Sequence, residues 1–294
     1  MWTRASPTRS SNKLDFRLLD AGHWTRLCYQ RQVQCLVSDI QRSAHLNFQM
    51  RPLPPLIVVA MLAICVEANG QPYYYAPNSV HIPILTKKKD AGIGVGWSPS
   101  FKGIEAQGVY SPIPNGAVML NFFGAGSKNI EQDEGTWFRF LEVAAGAYQA
   151  LEHGSASVFA GVGQGHLYNS YAEDNFSRFT LRRWFVQPAL AYHDKAIQLG
   201  VALRLSRLSY PKGESSFDIE QSELDAIRKI EDEAPFFLPE LGLSGGVVFS
   251  PFAVALNITS VFPDMAGLHF SRFNGNLMLT FDFGEMGKNR KKKK

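Results

Sequence analysis

Six charged residues in this chain of 294 residues fall in segments that alternate between apolar and small or polar side chains. They are Glu105, Glu142, Arg183, Arg204, Glu240 and Asp282. Each stands on the less apolar side of its segment. Opposite charges gathered on one side either pair with each other or line a narrow polar passage. Arg204 and Glu240 lie in successive segments joined by residues 211–235, so this pair is the first contact that we expect.

The remaining candidates for chemistry lack the spacing that a metal or catalytic site requires. The histidines after residue 70 are His81, His153, His166, His193 and His269. They are spread over separate turns, with no HExxH pattern and no cysteine beyond Cys65, so we expect neither a metal site nor a cofactor. Ser170 with His166, and Asp264 with His269, are pairs of the kind that a hydrolase needs, but neither pair belongs to a motif. We therefore expect that the protein is not an enzyme.

Strand-like alternation recurs along most of the chain after residue 90. The clearest case is 197–206, where the residues from Ile197 to Leu205 are apolar at every odd position and small or polar between them. The ten segments with this period are 91–97, 104–111, 117–124, 141–147, 156–163, 181–192, 197–206, 240–250, 252–261 and 273–283. The sequence therefore predicts an all-β chain, a closed antiparallel up-and-down barrel of ten strands, or of eight if the first pair does not close.

The two faces of these segments indicate which solvent the barrel meets. The outer face of a soluble barrel is rich in Lys and Glu, whereas here the less apolar face holds mainly Gly, Ala, Ser, Gln and Asn, and only 19% of all residues are charged. This pattern favours a transmembrane barrel whose apolar face meets lipid. We expect the six charges to form a luminal network that plugs and stiffens the barrel, with a narrow charge-lined pore as the alternative. A soluble exported barrel that binds a small apolar ligand is the competing interpretation.

The connections between the segments alternate in length. Short connections are expected at 112–116, 149–155, 193–195 and 250–251. The connections at the other end are expected at 98–103, 125–137, 164–178, 211–235 and 262–269. The first of these is unusually short, and the other four are longer. Such alternation predicts a meander with both termini in the periplasm and the longer loops outside. In the loop 211–235, Ser222-Glu223-Leu224-Asp225 has the form of a capping box, and Leu224, Ile227 and Ile230 recur at helical spacing. These residues predict one short helix in an outer loop.

The N-terminal part has the features of a targeting segment. Met50 is followed by a basic residue, an uncharged apolar run from Leu56 to Cys65, and small residues that predict signal-peptide cleavage between Gly70 and Gln71. We interpret 50–70 as a signal peptide and 1–49 as a disordered or untranslated extension; a cytosolic segment with a signal anchor is the alternative. The four residues that end at Cys65 also resemble a lipobox, in which case Cys65 would carry an acyl chain.

The rest of the chain then divides into a periplasmic segment at 71–89, the barrel at 90–284 and a basic tail at 285–294. Residues 71–287 carry a net charge of −6 and residues 288–294 a net charge of +6. On an exported chain this tail favours a solvated end, or contact with anionic lipid or peptidoglycan, over nucleic acid.

Two stretches resemble the small single-chain outer-membrane β-barrel proteins of Gram-negative bacteria. Residues 73–90, with the glycine-rich strand that follows, look like the start of such a barrel. Residues 274–283 are similar to the aromatic-ended last strand that the barrel-assembly machinery recognises, although eleven residues follow Phe283. The resemblance covers residues 73–284. It implies a place in the bacterial outer membrane, with lipid and the assembly machinery as partners, and a structural, surface-binding or narrow-pore role without catalytic residues.

Overall fold

The alternating segments form ten antiparallel strands. The computed structural model describes residues 74–129, 134–171, 175–216, 221–262 and 270–283, all within one compact unit, Val58–Lys294. The strands are β1 (Ala91–Ser98), β2 (Gly103–Ile113), β3 (Gly116–Asn129), β4 (Glu134–Leu151), β5 (Gly154–Ser170), β6 (Phe176–His193), β7 (Ile197–Ser215), β8 (Phe236–Phe249), β9 (Phe252–Val261) and β10 (Phe273–Asp282). One helix, α1 (Gln221–Glu233), lies between β7 and β8.

Each strand pairs with its neighbours in the sequence, and β1 pairs with β10 to close the barrel. The prediction of a closed, ten-stranded, antiparallel barrel with one short helix is therefore confirmed, and the alternative of eight strands is wrong. Closure leaves no strand with an unpaired edge. Among the described residues, no helix combines the length and the apolar run that a bilayer crossing requires.

The two ends of the barrel differ in their connections. At the turn end, as we name it, successive strands are joined by two or three residues: 114–115, 152–153, 194–196 and 250–251. The helix end carries α1 and the remaining connections. In the turn 194–196, the Asp194 carboxylate accepts the N–H groups of Ala196 at 2.6 Å and Ile197 at 2.9 Å. These backbone hydrogen bonds lower the pKa of Asp194 below its usual value.

Six strands, β3 to β8, extend further toward the helix end than their sequence pattern predicts. The expected long loops 125–137 and 164–178 are therefore mostly strand, and the connections shrink to 130–133 and 171–175. The extension has a packing reason. Inward side chains at these levels, including Phe138, Leu167 and Phe179, join one buried apolar cluster together with residues of α1.

The interior contains two apolar levels with a polar level between them. The helix-end cluster contains Phe123, Phe140, Leu181, Leu208 and Leu238, with Ala226, Ile227 and Ile230 from α1. A second cluster nearer the turn end contains Leu85, Met119, Tyr148, Phe159 and Phe185. The expected apolar stripe of α1 thus faces the barrel, because Ile227 and Ile230 are buried and Leu224 packs against the same cluster.

Candidate functional site

Residues 74–90, which we name the luminal segment, run through the inside of the barrel. At the helix end, the Tyr74 hydroxyl donates to Glu223 of α1 at 2.6 Å. At the turn end, the Asp90 carbonyl accepts the N–H of Ser111 at 2.9 Å, next to the start of β1. Between these points, Asn78 and Ser79 are buried. The segment therefore enters at the helix end and joins β1 at the turn end.

This placement corrects one expectation. Residues 71–89 were expected to precede the barrel as a separate periplasmic segment, but 74–85 lie inside the barrel and 86–89 form an exposed connection to β1. The start of β1 and the end of β10 lie together at the turn end, whereas the termini that were expected in the periplasm lie outside the described residues. Gly70, Gln71 and Cys65, on which the cleavage and lipidation predictions depend, lie outside the described residues.

Glycine positions in the wall explain how the lumen accommodates this segment. A Cβ atom at Gly242 would lie 2.6 Å from the Val80 side chain, and one at Gly200 would lie 2.8 Å from Ile82. Both distances are too short for carbon atoms in contact. The wall also hydrogen-bonds to the segment, since the Val80 N–H donates to Thr259 Oγ1 at 3.0 Å.

Two arginines and two glutamates form the polar level of the interior. This charged layer consists of Glu142, Arg183, Arg204 and Glu240, all with exposed fractions of 1% or less. Arg183 contacts Glu142 directly and lies 3.3 Å from Glu240. Arg204 contacts Glu240 directly and lies 3.5 Å from Glu142. Each guanidinium thus touches both carboxylates, and the formal charges of the layer cancel.

The strand register brings these four side chains together. Arg204 and Glu240 are direct partners in the β7–β8 ladder, so the pair that the sequence singled out is present. Glu142 and Arg183 stand on either side of Gly163 across three strands. Since Gly163 has no side chain, the carboxylate and the guanidinium can meet over β5. A Cβ atom there would lie 2.4 Å from the Phe140 ring and 3.0 Å from Glu142 Cγ.

The luminal segment adds hydrogen bonds to the charged layer. Asn78 donates to Glu142 at 2.7 Å and accepts from Arg183 at 2.5 Å. The Tyr75 hydroxyl accepts from Arg183 at 2.5 Å and donates to Glu240 at 2.5 Å. Buried charges of this kind are tolerated only when they are paired and hydrogen-bonded. The layer therefore fastens the segment to the barrel wall.

The other two predicted network residues lie elsewhere. Glu105 is buried, but its carboxylate accepts the Ser79 N–H at 3.1 Å and the Asn274 amide at 2.7 Å instead of binding an arginine. Asp282 is exposed at the last position of β10. The expectation that Asp282 joins the network is wrong, because alternation predicts the face on which a residue lies but not its depth in the barrel.

A cavity of about 700 Å³ lies at the turn end, between the luminal segment and the wall. Its lining includes His81, His153 and His193, together with Gln107 and Asn257. The sequence showed these histidines only as scattered residues. Adjacent turns bring two of them together, because the His193 N–H donates to the His153 carbonyl at 3.0 Å. Within the described ranges, no three His, Cys, Asp or Glu side chains are arranged to hold a metal ion.

Of the two short-range pairs considered for hydrolysis, only Ser170 with His166 lies in the described residues, and its geometry does not support a catalytic pair. Ser170 and His166 lie four residues apart on β5, a separation of roughly 13 Å along a strand. His166 instead lies 3.5 Å from the Thr180 hydroxyl. Asp264 and His269 lie outside the described residues.

A second polar contact, missed by the sequence analysis, fixes α1 at the helix end. Glu223, identified from the sequence only as part of a capping box, accepts from Tyr74 at 2.6 Å and from Tyr171 at 3.4 Å. Burial raises the pKa of Tyr171, so its hydroxyl stays protonated and can donate. The helix, the luminal segment and the β5–β6 connection meet at this carboxylate.

No protein-family model and no curated protein matches the sequence. The class defined by the structure is a closed ten-stranded barrel that contains a segment of its own chain. A barrel fold by itself supports many activities. The function must therefore be argued from the two faces of the wall and from the contents of the lumen.

Proposed function

We propose that this chain is a β-barrel protein of the bacterial outer membrane, closed internally by its luminal segment, with a structural and surface-binding role and no catalysis. The turn end faces the periplasm in this proposal, and the helix end faces outward. The observation that carries it is the outer surface of the barrel wall.

Large apolar side chains point outward from all ten strands. Representative residues, one from each strand in order, are Ile93, Ile104, Val118, Leu141, Val158, Trp184, Leu203, Leu243, Val254 and Leu277, with exposed fractions from 39% to 59%. The outward apolar residues as a group are named the apolar belt below. Soluble monomers rarely expose a contiguous apolar patch larger than several hundred Å², whereas lipid favours such a surface.

The dimensions and edges of the apolar belt also fit a bilayer. On β7, outward apolar residues run from Ile197 to Leu205, which corresponds to roughly 20 Å along the barrel axis for a strand tilted by about 40°. Outward aromatic rings contact each other at both ends. Trp137 and Tyr168 have ring centroids 5.6 Å apart near the helix end, and Phe252 and Phe281 are 5.0 Å apart near the turn end. Aromatic residues at both interfaces are typical of membrane barrels.

The lumen supports a closed barrel more than an open pore. The charged layer binds Tyr75 and Asn78 of the luminal segment from several sides, and the helix-end cluster fills the interior below α1. The turn-end cavity favours one other candidate, a soluble exported barrel that binds a small ligand there. That candidate leaves the apolar belt in water.

Fractionation of cells that express the full chain distinguishes these two functions. The proposal predicts that the protein stays in the membrane pellet after an alkaline wash and that its gel mobility changes when detergent extracts are boiled. Release into buffer without detergent, with a mobility that boiling does not change, would reject the membrane assignment in favour of the soluble candidate.

Planar-bilayer recordings test whether the luminal segment closes the barrel. The wild-type protein should show no stable conductance. Gly242→Val should open the lumen, because even a Cβ atom at this position would collide with Val80 at 2.6 Å. Gly245→Val is the matched control, since its Cβ would meet only Leu199 at an ordinary 3.7 Å. Stable conductance from the wild-type protein would instead support the narrow-pore interpretation.

A further inference from the structure

Outward cationic residues lie on three of the four neighbouring strands β4 to β7, beside the apolar belt and toward the helix end. This cationic patch consists of Arg139 on β4, Arg178 and Arg182 on β6, and Arg207 and Lys212 on β7, all exposed. Outward positions nearer the turn end on the same strands are apolar, for example Val143, Val162 and Val186.

The strand register shows that the patch is continuous. Arg139 pairs with His166, His166 with Thr180, and Thr180 with Lys212, which forms one row across β4 to β7. Arg182 lies two residues from Thr180 toward the belt, and Arg207 pairs with the next outward residue of β6, Trp184. Since neighbouring strands lie about 4.8 Å apart, the side chains of this patch can reach a shared ligand.

Among the described residues, most of these cations have no acidic partner. Arg178 lies 3.9 Å from Glu214 and over the rings of Tyr168 and Phe176. In the part of the chain that the structure describes, Arg139, Arg182, Arg207 and Lys212 make no ion pair. Unpaired cations beside an exposed apolar surface are electrostatically complementary to an anionic group attached to an apolar tail.

From this arrangement we infer that the cationic patch binds the phosphate head group of a lipid whose acyl chains lie on the adjacent apolar belt. Arginine favours phosphate because its planar guanidinium can hold two phosphate oxygens at once. The adjoining Leu141, Val143 and Trp184 offer exposed apolar surface for the chains. The inference rests on the proposed membrane function and deepens it, because it specifies the ligand class of the outward face.

The test compares two triple variants of the full chain in non-ionic detergent micelles. One variant carries Arg139→Gln, Arg182→Gln and Arg207→Gln. The matched control carries Lys88→Gln, Lys195→Gln and Arg272→Gln, which removes the same number of exposed charges away from the patch. Each protein is titrated with bis-phosphorylated lipid A, with dephosphorylated lipid A and with inorganic phosphate. The temperature at which the folded band disappears on a gel is measured.

The phosphorylated lipid should raise this temperature for the wild-type protein and the control, and the patch variant should need a roughly tenfold higher lipid concentration. Salt at about 0.5 M should weaken the effect, because exposed charges are screened. The inference is overturned if the patch variant responds like the wild type, or if inorganic phosphate or dephosphorylated lipid gives the same shift.

Reconstitution of the wild type into phosphatidylcholine vesicles separates the two proposals. Normal insertion there, without a response to the phosphorylated lipid, overturns the lipid site alone. Failure of the wild type to insert overturns the membrane function together with the site.

Discussion

The charged layer predicts a large coupling between Arg204 and Glu240. Replacing Arg204 by Met leaves two buried carboxylates with one guanidinium, and replacing Glu240 by Gln leaves two guanidiniums with one carboxylate. Loss of one partner of a buried ion pair costs about 3–5 kcal/mol, because the remaining charge is uncompensated. Each single variant should therefore lower the free energy of unfolding by about this amount.

The double variant should not add the two losses together. Arg183 and Glu142 remain as a neutral pair in direct contact, and a glutamine at position 240 can still accept from the Tyr75 hydroxyl. We expect the double variant to be destabilised no more than either single variant, which corresponds to a coupling energy of about 3–5 kcal/mol. Arg207→Met is the control on the same strand. Its side chain is exposed, so the effect should stay within about 0.5 kcal/mol.

Urea unfolding in zwitterionic micelles, followed by tryptophan fluorescence, measures these free energies. Additive losses in the double variant, or single losses below about 1 kcal/mol, would refute the argument. Either result would indicate that the charged layer is hydrated and that its ion pairs are screened by water.

Three further predictions concern the faces and ends of the barrel. Leu203→Arg should cost about 2–4 kcal/mol of insertion free energy in bilayers, because Leu203 faces outward with 41% exposure. The control variant Gln198→Arg, at the turn-end cavity, should insert normally. Equal insertion yields of the two variants would contradict the outward facing of Leu203. The pKa of Asp194 is lowered by two backbone hydrogen bonds, so the turn 194–196 should keep these bonds at neutral pH and lose them as the pH falls through that lowered pKa. Carboxyl NMR checks this, and an ordinary Asp194 pKa would count against it. Ile230→Ala should loosen the packing of α1 on the barrel, because Ile230 is 2% exposed. A protease should then cut the variant within 216–235. Unchanged resistance to the protease would show that α1 packs on the barrel without the Ile230 side chain.

The strands and their pairing could be predicted from the sequence because both depend on local patterns. Alternation assigned Leu203 and Ala202 to opposite faces, and the meander order placed Arg204 beside Glu240. The predicted strands β3 to β8 stopped short of the helix end because the inward side chains there pack in one cluster with α1, a contact that alternation in single strands does not reveal.

The luminal segment could not be predicted in the same way. Its residues have no strand period, and its partners are distant in the sequence: Asn78 binds Arg204, 126 residues away. The available signal was the presence of glycine at inward wall positions such as Gly200 and Gly242, where the segment passes closely. Glycine at an inward position also suits ordinary close packing of a small barrel, so this signal alone did not indicate a segment in the lumen.

Tryptophan quenching tests most directly whether the apolar belt meets lipid. Trp97, Trp137 and Trp184 point outward with exposed fractions of 40% or more, and Trp2→Phe with Trp24→Phe removes the two other tryptophans of the chain. After reconstitution into vesicles, brominated acyl chains should quench the fluorescence strongly and aqueous iodide only weakly. Strong quenching by iodide with no effect of the brominated lipid would place the apolar belt in water and contradict the account.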